Sequence, residues 1–167
     1  MAVVQAEVEE AFADGDKAAF ATAYNMWGAL IYTIGLRGVG EPDVAAELTR
    51  RAFLSAWHGS ARSKAQPLKS QLVLTARTLV HTHLTEQGAT AGEQVEADGI
   101  IDRVVVRDEL TAMAEPMRSV MLQALSEGGA SVAQLAERAD LPRESVEFLV
   151  RDGLDDLVQA LAGSRGI

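Results

Sequence analysis

Apolar residues recur at three- and four-residue intervals along nearly the whole chain. No segment sustains the two-residue alternation of a half-buried strand. The clearest stripe is Phe20, Tyr24, Trp27, Ile31 and Ile34, one face of a core-facing helix. This periodicity restricts the chain to an all-α fold. Asp16 is a good N-cap for that helix, and Gly38-Val39-Gly40 breaks it. Pro42 follows where a first helical turn tolerates it. Further helices are expected over 3–13, 43–58, 68–84, 100–114, 116–127, 131–139 and 142–162. Residues 85–98 (TEQGATAGEQVEAD) are polar, contain glycine and lack an apolar stripe, which reads as a flexible linker. The expected architecture is two small helical domains, 1–86 and 99–167, joined by a linker over 87–98. The second should contain a helix-turn-helix: SVAQLAERA, the turn DLP, then RESVEFLVRDGLDDLVQAL.

Composition narrows the function classes. An apolar content of 48% in 167 residues is ample for a core, and there is no cysteine. Disulfides, thiolate metal sites and cysteine nucleophiles are therefore excluded. The longest apolar run, Trp27 to Leu36, is far short of the ~20 residues of a membrane span. The start, MAVVQAEVEE, lacks the basic and apolar regions of a signal peptide, so a cytoplasmic protein without membrane insertion is expected. GVGEPD is not a phosphate-binding loop, and neither a GxSxG elbow nor an HExxH pair is present. His81 and His83 are two residues apart, so on a helix they diverge and cannot share a metal. The expectation is a non-enzyme without catalytic residues, metal site or cofactor.

Charge is uneven. The net charge is −9. From Leu48 to Thr85 there is no Asp or Glu, but there are Arg50, Arg51, Arg62, Lys64, Lys69 and Arg77. Such a window is an electrostatic footprint for a polyanion. The helix after the DLP turn has the opposite character. Glu144, Glu147, Asp152, Asp155 and Asp156 there outnumber Arg143 and Arg151. A helix that enters the major groove ordinarily presents Lys, Arg, Asn, Gln or Ser.

The order and spacing of three segments resemble the bacterial RNA polymerase sigma factors of the compact extracytoplasmic-function type. GDKAAFATAYNMWGALIYTIGLRGVGEPDVAAELTRRAFLSAW and LKSQLVLTARTLVHTHL are similar to the family's first domain. ELTAMAEPMRSVMLQALSEGGASVAQLAERADLPRESVEFLV is similar to its minus-thirty-five-reading domain. The resemblance implies a protein that recruits core RNA polymerase to promoter DNA and answers to an anti-sigma factor. It implies docking on the polymerase clamp through Glu47, Leu48, Arg51, Phe53, Leu54 and Trp57. It places Arg62, Lys64, Lys69 and Arg77 on the melted minus-ten strand, and leaves Arg143, Ser145 and Arg151 as contacts to the minus-thirty-five element. The chain departs from the family's pattern at several positions. Arg50-Arg51 stand where Gln-Glu is usual, Gln71 replaces a Trp, and Glu147 and Leu149 replace basic residues. These departures support an alternative: a sigma-fold interaction protein, or decoy, that binds an anti-sigma factor or other regulator without reading DNA.

Overall fold

The computed structural model describes residues 2–59, 66–126 and 128–167, and among them the regular structure is entirely α-helical. The helices are α1 (Ala2–Ala13), α2 (Lys17–Val39), α3 (Pro42–His58), α4 (Leu68–Glu86), α5 (Ala91–Ala112), α6 (Met117–Ala124), α7 (Val132–Ala139) and α8 (Arg143–Arg165). Local signals set most boundaries. The Asp16 carboxylate accepts the Ala18 N–H and opens α2. Gly40, at φ +79°, closes it in the left-handed conformation that a Cβ would disfavour. Pro42 begins α3.

The chain divides into two units, Met1–Val104 with Gly163–Ile167, and Val105–Ala162. In the first, α2 packs on α1, α3 and α4, and α3 packs on α4. Ile31, Ile34, Phe53, Leu72, Val80 and Ile101 are fully buried. Each such side chain contributes about 1.5–3 kcal/mol of burial. Gly38 lets α2 approach α4 closely, since a Cβ there would lie 2.7 Å from Val80 Cγ1.

In the second unit, Val120, Leu135, Ala136 and Val146 form one buried cluster, and Met113, Met121 and Leu157 another. Ser131 caps α7 through a reciprocal box with Gln134. Asp140, at φ 54°, ends the helix, and Leu141-Pro142 leads into α8.

The expected linker is not what the chain forms. Residues 87–90 make the turn, and α5 runs unbroken from Ala91 to Ala112. The unit boundary falls inside that helix. Helix formation over 91–98 has a local cause in Thr90 and Glu93. Glu93 Oε2 accepts from Thr90 N (2.7 Å) and Oγ1 (2.9 Å), and Thr90 Oγ1 accepts from Glu93 N at 3.3 Å. That is a capping box.

Candidate functional site

Of the α3 residues assigned to polymerase docking, two are part of the core. Leu48 and Phe53 are 4% and 1% exposed, so neither side chain presents a surface to a partner. Phe53 lies 6.1 Å from Phe20 and 4.8 Å from Tyr24 between ring centroids. Trp57, half-buried, meets Phe12 and Phe20 edge-on at 5.0 and 5.2 Å. Leu54 is half-buried, and Glu47 and Arg51 are exposed. Glu47 is already engaged, because Arg50 donates to it through Nε (2.9 Å) and Nη2 (2.7 Å). Those bonds hold the Glu47 carboxyl below its ordinary pKa, against an opposing effect of burial and with help from the charges of Arg50 and Arg51. The outward face of α3 is thus Glu47, Arg50, Arg51 and Ser55, with Leu54 and Trp57 at its edge.

Of the residues expected on the melted strand, Arg62 and Lys64 lie outside the described residues. Lys69 is half-buried in the first turn of α4 and has its own interactions. Arg77 is not on the surface: it is 7% exposed. Its Nη1 donates to Asp98 Oδ1 (2.7 Å), and its Nη2 to Asp102 Oδ1 (2.8 Å) and Ser164 Oγ (3.2 Å). Its Nε donates to the Ser164 carbonyl (3.1 Å). Arg165 pairs with the other oxygen of Asp102. The guanidinium expected to meet phosphate instead ties α4 to the start of α5 and to the C-terminus.

His81, one turn after Arg77, extends this cluster. Its Nε2 lies 2.9 Å from Asp98 Oδ1 and its Nδ1 2.8 Å from Gln94 Oε1, while Gln94 Nε2 donates to Thr85 Oγ1. Two acceptors facing the two ring nitrogens suit an imidazolium, which donates from both. Burial pushes the His81 pKa down. The bonds to Asp98 and Gln94 and the Asp98 charge outweigh burial and the opposing charge of Arg77, so the pKa lies above its ordinary value. Burial likewise pushes Asp98 and Asp102 up. Hydrogen bonds and charge from His81 and Arg77 on Asp98, and from Arg165 and Arg77 on Asp102, hold both carboxyls below the ordinary range.

A raised His81 pKa stabilises the fold below about pH 6.5 and loses that contribution as pH rises through the folded value. The lowered carboxyls contribute above about pH 4 and lose their contribution as pH falls through theirs. The cluster is therefore strongest from about pH 5 to 6.5. In an NMR titration His81 is expected to titrate above the ordinary histidine value of about 6.5. His81→Ala is expected to flatten the fall in melting temperature between pH 6 and 8. An unchanged slope in that variant would remove His81 from the account.

On α8, Arg143, Glu147 and Arg151 are exposed along one flank, at four-residue spacing. Ser145 does not share that flank. It lines an open groove of about 420 Å³ with Pro116, Leu141, Glu144, Phe148 and Leu149. Between the two flanks the outward face of α8 carries Glu144, Phe148 and Asp155, and Phe148 is 63% exposed. Burial, reinforced by Asp152 and Asp155, raises the Asp156 carboxyl pKa. The face is acidic and partly apolar.

Sequence reasoning missed Asp98, Asp102, Ser164 and Arg165. A usable signal for the first two was the Thr90…Glu93 capping pattern, which starts a helix. Once that helix is drawn, Asp98 and Asp102 stack one turn apart on one face. Nothing local marks Ser164 and Arg165, which meet Arg77 and Asp102 across 87 and 63 residues of chain. Among the described residues no His, Asp and Glu groups converge to hold a metal ion, and no helix is long and apolar enough to cross a membrane.

Comparison with known proteins finds similarity along most of the chain. No protein-family profile matches the chain. It is 26% identical over 166 residues to the ECF RNA polymerase sigma factor SigK of Mycolicibacterium vanbaalenii, covering 89% of this chain and 85% of that protein. It is 25% identical over 169 residues to the protein of the same name from Mycobacterium sp. (strain JLS), covering 91% of this chain and 88% of the relative. The similarity runs through both units, and the all-helical architecture agrees with it. By sequence and build, the chain is similar to extracytoplasmic-function RNA polymerase sigma factors along most of its length.

Proposed function

We propose that the protein acts in transcription initiation, recruiting core RNA polymerase to promoters; the relatives it resembles are named ECF RNA polymerase sigma factors. The observation that carries this reading is similarity along 89–91% of the chain, a share too large to leave out either unit. Its contribution is non-enzymatic: bond formation belongs to the polymerase, and this chain supplies differential affinity for promoter DNA. The polymerase-facing residues are Glu47, Arg51, Leu54 and Trp57 on α3. DNA-facing positions are Lys69 on α4, with Arg62 and Lys64 before it, and Arg143 and Arg151 on α8. A cytoplasmic location and control by an anti-sigma factor follow from the same reading. The test is run-off transcription on fragmented host DNA with core polymerase, with and without the protein. New transcripts sharing an upstream motif are expected. Their absence, with a housekeeping sigma factor active in the same preparation, overturns the reading.

A second reading has a specific observation behind it. Phe148 and Val158 are 63% and 64% exposed on α8 among Glu144, Glu147 and Asp155. Carboxylates repel the phosphate backbone, and an exposed ring suits a protein partner better than a solvated groove floor. On this reading α8 meets a regulator rather than DNA. Glu147→Lys separates the two. If α8 enters the groove, the variant binds duplex promoter about tenfold more tightly, and its log K against log salt slope steepens by about 0.9 for the phosphate contact added. If α8 meets protein only, affinity and slope stay at the parent values while circular dichroism shows an unchanged fold.

A further inference from the structure

We infer that the C-terminal residues Gly163–Ile167, together with the start of α5, form an autoinhibitory strap over α4, withholding Arg77 from nucleic-acid phosphate. The inference rests on the proposed DNA-handling role of α4. It adds that the chain as folded covers part of that helix with its own carboxylates.

Three observations converge on one stripe of α4, the positions of Ser70, Leu74 and Arg77. The first is the satisfaction of Arg77, since each of its bonding groups meets a partner from α5 or from Ser164. A guanidinium in the acid-free window of the sequence is thus saturated by two carboxylates, chemical equivalents of the phosphates it would otherwise bind. The second is the close seating of the strap. A Cβ on Gly163 would lie 2.7 Å from Ser70 Oγ, and one on Gly166 would lie 3.1 Å from Leu74 Cδ2. Gly166 also takes φ +73°, which side chains disfavour. Ser164, between them, is 1% exposed. The third is that the attachment is polar. Arg165 bonds Asp102, whose other oxygen accepts from Arg77, so one carboxylate links strap, α5 and α4.

Polar attachment makes the strap displaceable. A polyanion with several phosphates can exchange with Asp98 and Asp102 at Arg77, ion pair for ion pair. An apolar strap would have no such competitor. Opening frees the residues at which the chain leaves the first unit, after Val104, and re-enters it, at Gly163.

Two full-length variants test this without altering Arg77. Asp102→Asn/Arg165→Gln removes the shared link and keeps the net charge constant. Ser70→Cys/Gly163→Cys allows the strap to be fastened by oxidation, in a chain that has no other cysteine. The Gly163 Cβ position, 3.1 Å from Ser70 Cβ, is within a small adjustment of disulfide geometry. Hydrogen exchange over 91–104 and 163–167 reads strap opening, and fluorescence anisotropy with a mixed-sequence single-stranded 20-mer DNA reads access to α4. The unlinked variant is expected to exchange faster in both segments and to bind the oligonucleotide about tenfold more tightly. The oxidised cysteine variant is expected to bind more weakly than its own reduced form, with reductant restoring binding. Equal binding by oxidised and reduced forms, while the parent protein binds measurably, overturns the strap as an inhibitor and leaves the role of α4 intact. Faster exchange without tighter binding does the same. Failure of every form to bind, including the unlinked one, overturns the DNA-handling reading of α4 and the strap with it.

Discussion

Phe53→Ala is expected to lower the stability of the first unit by about 4 kcal/mol, the largest single-residue loss in the molecule. The side chain is 1% exposed and touches the rings of Phe20 and Tyr24, so truncation removes burial, leaves a cavity and breaks two aromatic contacts. At that cost the midpoint of urea unfolding should fall by roughly 2 M, given a denaturant slope of about 2 kcal/mol per molar for a domain of this size. Phe53→Leu keeps most of the volume and should cost about a third as much. The pair of variants also reinterprets polymerase binding. Loss of binding in Phe53→Ala should track the unfolded fraction, with Phe53→Leu binding normally. If Phe53→Ala stays folded and still loses polymerase, the side chain is a docking residue and the packing account is wrong.

Arg77→Ala should cost about 3 kcal/mol, because it strands two partly buried carboxylates rather than because an ion pair is intrinsically strong. Asp102 and Asp98 are 19% and 38% exposed at the side chain, which places the loss at the lower end of the range for broken buried pairs. Arg77→Lys should recover little, since one ammonium cannot bridge Asp98, Asp102 and the Ser164 carbonyl from a single position. The decisive comparison is Arg77→Met in an Asp98→Asn/Asp102→Asn background. If stranded charge is the cause, removing the carboxylates returns 1–2 kcal/mol of the loss, by the usual double-mutant logic and to about that precision. Additive losses would mean that Arg77 acts through the packing of its stem. Thermal unfolding at pH 6, inside the range where the cluster contributes most, is the measurement.

The sequence and the structure agree closely where the cause is local. The stripe from Phe20 to Ile34 makes α2 a helix wherever it is placed, and Asp16 and Gly40 fix its ends through hydrogen bonds to their own neighbours. The Ser131–Gln134 box and the turn before Pro142 fix α7 and the start of α8 in the same way. The acidic bias of α8 was also legible, because exposed charges on a single helix need only the helical period to be placed. Residues 91–98 resisted reading because their apolar stripe is thin. Ala97 is buried, but Val95 is 71% exposed, so the helix is held by its capping box and by the ion pairs of Asp98.

Function-bearing assignments diverged where they depended on which side of a helix faces the core. Leu48 and Phe53 have the residue types of a docking surface and equally of a core, and only the packing of α2 and α4 against α3 decided for the core. No sequence neighbour from Leu48 to Thr85 offers Arg77 a carboxylate. Its partners come from 21, 25 and 87 residues away. By itself the sequence determined the helical class, most helix boundaries and the charge of each face, since these depend on backbone hydrogen bonds and periodicity within a few turns. Only the tertiary structure decided that Arg77 of α4 is neutralised by the chain's own later residues, because pairing between distant charges is set by chain topology and leaves no local pattern to read.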